Sequence, residues 1–154
     1  MLKKKNHKII AGVLFIVYLA ALVYILLFKA DPGFSPHDYT AIHQITNKKP
    51  SNFNLIPFNT IKLFIKSFLN NRNLTSLLNV LGNILIFMPF GIFVQLFWPN
   101  RKSFLITFLS GSLIILLIEF VQLITVWGIL DIDDYLLNII GVILGWLLMR
   151  IFIK

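Results

Sequence analysis

The sequence lacks cysteine altogether and has few charged residues, which make up 13% of its 154 positions, six of them Asp or Glu. The absence of cysteine excludes disulfides, iron–sulfur clusters, thiolate zinc sites and cysteine nucleophiles. Soluble domains have about 25% charged residues. Here 58% of the residues are hydrophobic and the mean hydropathy is +0.85, which is more apolar surface than a soluble fold of this length can bury. The composition excludes an ordinary soluble enzyme and a disordered protein.

Four stretches are long and apolar enough to cross a bilayer, which takes about 20 residues. They are residues 9–28, 77–98, 103–125 and 135–153. The first follows a basic segment, residues 1–8, as a signal peptide would. We expect an uncleaved anchor, because the run is long and no A-x-A site follows it. The short links 99–102 and 126–134 require antiparallel neighbours. The sequence therefore predicts an all-α integral membrane bundle of four transmembrane helices.

The long segment 29–76 has two parts. Its first part is polar and rich in turn residues, which is typical of a loop. After Pro57, apolar residues recur at helical spacing and two lysines lie four residues apart. This pattern predicts an amphipathic helix at the membrane interface; a helix packed on the bundle is the alternative. The residues that carry the pattern are Phe58, Ile61, Lys62, Ile65, Lys66 and Phe68.

The basic residues near the span ends predict the orientation of the chain. The net charge is +8, and its positive residues are too scattered for a nucleic-acid groove. With four spans, the basic residues near the span ends all fall on one side. They are the lysines of residues 1–8, Arg101 and Lys102 in the link 99–102, and Arg150 and Lys154 near the end. That side is predicted to be cytoplasmic, with both termini inside. Segment 29–76 and the acidic link 126–134 then lie outside.

Polar side chains in three of the spans are predicted to lie at one depth. Glu119 follows the start of the third span by 16 residues, or about 24 Å along a helix, which places it in the outer third of the span. Buried polar groups are costly unless they face one another or water. We therefore expect an extracytoplasmic acidic pocket. Its predicted ligand-binding residues are Asn79, Asn83, Glu119, Gln122, Asp131, Asp133, Asp134 and Asn138.

Structural roles are open alternatives for most of these residues. Asp133 or Asp134 is suited to cap the fourth span, and Asn79 and Asn83 to join helices through their amides. Glu119 could be a buried structural acid. Four further residues are predicted to act in helix packing or kinking, and these are Pro89, Gly91, Gly141 and Gly145.

The sequence predicts no cofactor and no metal site, although carboxylates could hold a divalent cation. The spacing D-I-D-D differs from that of a calcium-binding loop. His37 and His43 are six residues apart in the polar loop, whereas a helical zinc site needs four. Ser110 and Ser112 have no histidine near them in the sequence.

Four ordered motifs resemble the VanZ-like family, which is named for a membrane protein associated with teicoplanin resistance. They are N-L-I-P-F at 54–58, N-x-x-G-N-I-L-I-F-M-P-F-G at 79–91, I-E-F-V-Q at 118–122 and D-I-D-D-Y-L-L-N-I-I-G at 131–141. The resemblance covers about residues 54–146. It implies a small membrane protein with no established mechanism. Gly128 stands where the family often has arginine, three residues before the first aspartate of the last motif.

Three hypotheses for function follow. The first is a non-enzymatic VanZ-like protein whose pocket contacts lipid-linked envelope precursors or lipoglycopeptides and contributes to teicoplanin-type resistance. The second is a membrane hydrolase or transferase acting on a lipid-linked head group, with Glu119 and the residues Asp131, Asp133 and Asp134 as catalytic candidates. The third is a small transporter or accessory subunit. The oligomeric state is not predicted.

Overall fold

The computed structural model describes residues 5–28, 53–100, 102–125 and 130–152. Within them, five helices alternate with two very short strands. In chain order the elements are α1 (Lys5–Phe28), β1 (Phe53–Asn54), α2 (Asn59–Asn71), α3 (Leu74–Phe97), α4 (Ser103–Thr125), β2 (Leu130–Asp131) and α5 (Ile132–Phe152). The predictions for His37, His43 and Gly128 lie outside the described residues.

Helices α3 and α5 form the most extensive contact of the fold, and glycines make it close. A side chain on Gly141 would overlap the carbonyl oxygen of Ile84, and one on Gly145 would overlap that of Met88. Both contacts advance by four residues, so the two helices run parallel. Gly91 meets α5 in the same way at Val142. Small residues allow such backbone contact between membrane helices.

Helix α4 packs antiparallel to α5. Near one end the Trp146 indole nitrogen donates to Ser103 Oγ at 3.1 Å, and in the middle Gly111 faces the Val142 side chain. The direction follows from the short link between α3 and α4, which turns the chain back at Trp98 and Lys102.

Helix α1 attaches through aromatic rings and one interhelical hydrogen bond. The ring of Phe15 lies 5.2 Å from that of Phe93 and 5.6 Å from that of Phe97, measured between centroids. Such pairs stabilise beyond their buried area. The Tyr18 hydroxyl donates to the Ile86 carbonyl at 2.9 Å. Elsewhere α1 exposes most of its apolar side chains.

The burial pattern is that of a protein solvated by lipid. The fully buried residues Phe87, Ile115 and Val142 centre a small apolar core, while many large apolar side chains on α1, α3 and α4 face outward. Four helices of the described chain are long and apolar enough to span a membrane. The predicted all-α bundle with four membrane-spanning helices is confirmed.

Capping residues account for two helix starts that the sequence placed late. The Asn73 side chain accepts the Thr75 N–H at 3.0 Å, so α3 begins at Leu74 rather than at residue 77. The Asp131 carboxylate accepts the Asp133 N–H at 2.9 Å, so α5 begins at Ile132 rather than at residue 135. Asx side chains at these positions satisfy free N–H groups of the first turn.

The segment before α3 contains the predicted amphipathic helix and one unpredicted contact. Helix α2 packs against α3, while Lys62 and Lys66 are exposed. Before it, β1 pairs in parallel with β2, with Phe53 opposite Leu130 and Asn54 opposite Asp131. This two-residue pairing brings segment 53–71 to the first turn of α5.

Candidate functional site

Asp131 joins three parts of the chain at one end of the bundle, which we call the acidic end. One oxygen of its carboxylate caps α5 through the Asp133 N–H. The other accepts the Thr60 hydroxyl at 2.5 Å and the Asn54 amide at 3.1 Å. The Asn54 amide also contacts Thr60 Oγ1 at 2.8 Å. Asp131 therefore ties β1 and α2 to the start of α5.

Asp133 caps a helix other than its own. Its carboxylate accepts the Phe58 N–H at 2.5 Å and the Ile61 N–H at 3.1 Å, both at the beginning of α2. Helix α2 has no capping side chain of its own, since Phe58 occupies that position with a φ of 63°. The Asp133 side chain is completely buried. A carboxylate here satisfies free N–H groups and meets the positive end of the α2 dipole.

Asp134 turns to a third partner, α3. Its carboxylate accepts the Asn83 amide at 2.8 Å. The sequence allowed Asp133 or Asp134 to cap the fourth span, whereas in the structure Asp131 has that role. The Asn83 amide joins α3 to α5, which is the structural role that the sequence analysis gave as its alternative.

Glu119, on α4, lies at the acidic end near Asp131 and Asp134. It is only 7% exposed, and its carboxyl interacts electrostatically with those of Asp134 and Asp131. No hydrogen-bond donor from the described residues reaches it. A deeply buried carboxyl that receives no donor from the described residues is a candidate binding group, because buried polar groups normally have partners.

Asn138 lies one helical turn beyond Asp134 and is 6% exposed. Its side-chain oxygen is fully buried and has no hydrogen-bond partner among the described residues. Together, Asn83, Glu119, Asp134 and Asn138 bring three helices to one region at the acidic end. We call these four residues the acid–amide cluster.

The other two predicted ligand-binding residues differ in placement. Gln122 donates to the Leu26 carbonyl at 2.9 Å and so connects α4 to α1. Asn79 is half-buried on α3, one turn before Asn83, and none of the described hydrogen bonds involves its side chain.

Sequence reasoning missed two features. The first is the part played by Asn54 and Thr60; Asn54 opens the motif at 54–58, but nothing in that motif specifies Asp131 as its partner. The second is a buried polar group at the opposite end of the bundle. There Gln95, Ser103 and Thr107 are almost fully buried, and Gln95 Oε1 and Thr107 Oγ1 have no partner in the described chain.

The chemistry at the acidic end is that of hydrogen-bond acceptors. Among the described residues, no lysine or arginine forms an ion pair with these carboxylates, and Asn83 supplies the one side-chain donor to Asp134. No group of three or more His, Asp or Glu side chains in the described part has the arrangement of metal ligands. The site is suited to a ligand that presents amine or hydroxyl donors.

Fold and site together define a membrane protein with four spanning helices and a cluster of acids and amides at one end. The chain belongs to the VanZ/LLP1 family, whose model matches residues 15–153. This confirms the resemblance seen in the four motifs and extends it into α1. No curated protein and no solved structure matched the chain.

Proposed function

We propose that this VanZ-like membrane protein binds an amine- or hydroxyl-bearing envelope component at its acidic end and thereby contributes to resistance to teicoplanin-type glycopeptides. The observation that carries the proposal is Glu119, a buried acceptor that lies beside Asp134 and receives no donor from the described chain. A ligand amine or hydroxyl would supply that donor. The orphan oxygen of Asn138 would accept a second.

The orientation in this proposal places the acidic end on the extracytoplasmic side. Lys8 lies in the first turn of α1, and Arg150 lies in the last turn of α5, both far from the acidic end. Basic residues near span ends favour the cytoplasm. Arg150 also stacks over the Trp146 ring at 5.0 Å, and aromatic residues with basic neighbours are typical of an interface.

Binding accounts for the acidic residues better than hydrolysis or group transfer does. Asp131 and Asp133 accept hydrogen bonds from Asn54, Thr60 and the α2 backbone. Both carboxylates therefore stabilise the fold, whereas among the described residues Glu119 accepts no hydrogen bond and Asp134 accepts one, from Asn83.

Transport has less support, because an apolar layer separates the two polar regions of the bundle. Along the buried face of α4, Thr107 is followed by Gly111, Ile115 and Glu119 at four-residue intervals. Ile115 is 1% exposed, and Phe87 and Val142 are fully buried. This buried face of α4 therefore has no polar side chain between Thr107 and Glu119.

The test compares teicoplanin susceptibility of cells that express matched variants at equal membrane abundance. Glu119→Gln replaces the carboxyl by an amide with almost no change in shape, and Asp134→Asn does the same beside Asn83. Both are expected to abolish any protection that the wild-type protein gives. Thr107→Val is the control, because it removes a buried polar atom at the opposite end. If both acidic variants protect as well as wild type, the acid–amide cluster is not the working part.

A further inference from the structure

A hydrophobic cavity of about 180 Å³, which we also call the α2–α3 groove, lies between α2 and α3, beside the acidic end. Its lining residues are Phe64, Ile65, Phe68, Ser76, Leu77 and Val80. Ser76 is the one polar residue among them. For comparison, a cavity of roughly 150 Å³ lined by Leu, Ile and Phe stays dry and binds benzene. The cavity is therefore suited to a short length of hydrocarbon.

The cavity lies close to the acid–amide cluster. Val80 precedes Asn83 by three residues, which is less than one turn of α3, and Asn83 holds the Asp134 carboxylate. The other wall, α2, is fixed to the same end by Asp133. A molecule with its chain in the cavity would thus carry its polar part to the region of Glu119 and Asp134.

The surroundings of the cavity fit a phosphate-bearing lipid. Lys62 lies one turn before the lining residue Ile65, and Lys66 follows Lys62 by one turn. Both lysines are exposed, and lysine side chains on interfacial helices reach toward lipid phosphates. The neighbouring apolar side chains of Leu55, Ile56 and Leu69 are also more than 60% exposed. Lipid can therefore approach the cavity from the bilayer.

We propose that the groove between α2 and α3 binds the hydrocarbon chain of an anionic phospholipid-like amphiphile whose phosphate lies at Lys62 and Lys66. This adds the hydrophobic part of the ligand to the proposed function and rests on it only for the placement of a donor-bearing head group at Glu119.

The test uses the full chain in phosphatidylcholine nanodiscs with a phosphatidylglycerol that carries a photoactivatable diazirine in its acyl chain. Mass spectrometry then maps the labelled residues. Val80→Trp fills the groove and is expected to lower labelling of α2 and α3 lining residues about tenfold, the loss expected when about two methylene groups lose their burial. Leu78→Trp is the control, because Leu78 is 63% exposed on another face of α3. Leu77→Phe is a smaller change should Val80→Trp fail to accumulate.

A diacylglycerol with the same diazirine chain isolates the part played by the phosphate. We expect it to label the groove several-fold less than phosphatidylglycerol, and the double variant K62Q/K66Q to remove this difference. Equal labelling in Val80→Trp and Leu78→Trp would refute binding of the acyl chain in the groove. Equal labelling of the wild type by both lipids would refute binding of the phosphate at Lys62 and Lys66. Failure of the proposed function looks different: Glu119→Gln would leave susceptibility unchanged while groove labelling stays intact.

Discussion

Replacing Asp133 by Asn is expected to release α2 from the bundle without unfolding the four long helices. The Asp133 carboxylate accepts two backbone N–H groups of α2, from Phe58 and Ile61. An Asn side chain keeps one acceptor oxygen, and its NH₂ group faces the second N–H. The change removes a hydrogen bond to a charged group and leaves a buried donor unpaired. Together these effects cost about 3 kcal/mol, or about a hundredfold in the equilibrium between docked and released α2.

The assay takes advantage of the cysteine-free sequence. A single cysteine introduced at Phe64, which faces the α2–α3 groove, reports release of α2 as faster reaction with a water-soluble maleimide. The matched control is Asp134→Asn on the next residue, because Asp134 contacts Asn83 rather than α2. Asp133→Asn should speed the reaction strongly, and Asp134→Asn should leave it near the wild-type rate. Equal rates in the two variants would refute the assignment of Asp133 as the cap of α2.

Two further predictions concern the packing of the bundle. Gly145→Ala should lower the melting temperature measured in detergent, because its new methyl group meets the Met88 carbonyl and overpacking costs about 1–3 kcal/mol. Gly82→Ala is the control: nothing lies within 4 Å of the added carbon, so the melting temperature should stay unchanged or rise. Trp146→Phe should destabilise the contact between α4 and α5 by about 1 kcal/mol, since it loses the hydrogen bond to Ser103, and a thermal melt as stable as wild type would contradict this.

The membrane spans could be predicted because the bilayer acts on each one separately. About 20 apolar residues are needed wherever a helix crosses lipid, so residues 103–125 match α4 as observed. The helical spacing after Pro57 likewise predicted α2 from local pattern alone. The starts of α3 and α5 were less well predicted, since they depend on which Asx side chain caps the first turn.

The amino-acid sequence by itself determined that polar residues of three spans fall near one end, because helix rise and span direction fix depth. It could not assign their partners. Asp131, Asp133 and Asp134 are chemically alike and almost adjacent, yet they bind β1 and α2, the α2 N-terminus, and Asn83 respectively. Asp133 and Asp134 are successive helical residues, which point about 100° apart, and Asp131 precedes the helix, so each carboxylate meets a different neighbour. Only the packing of α2, α3 and α4 around α5 decided which neighbour each carboxylate meets. The same packing left Glu119 without a donor among the described residues.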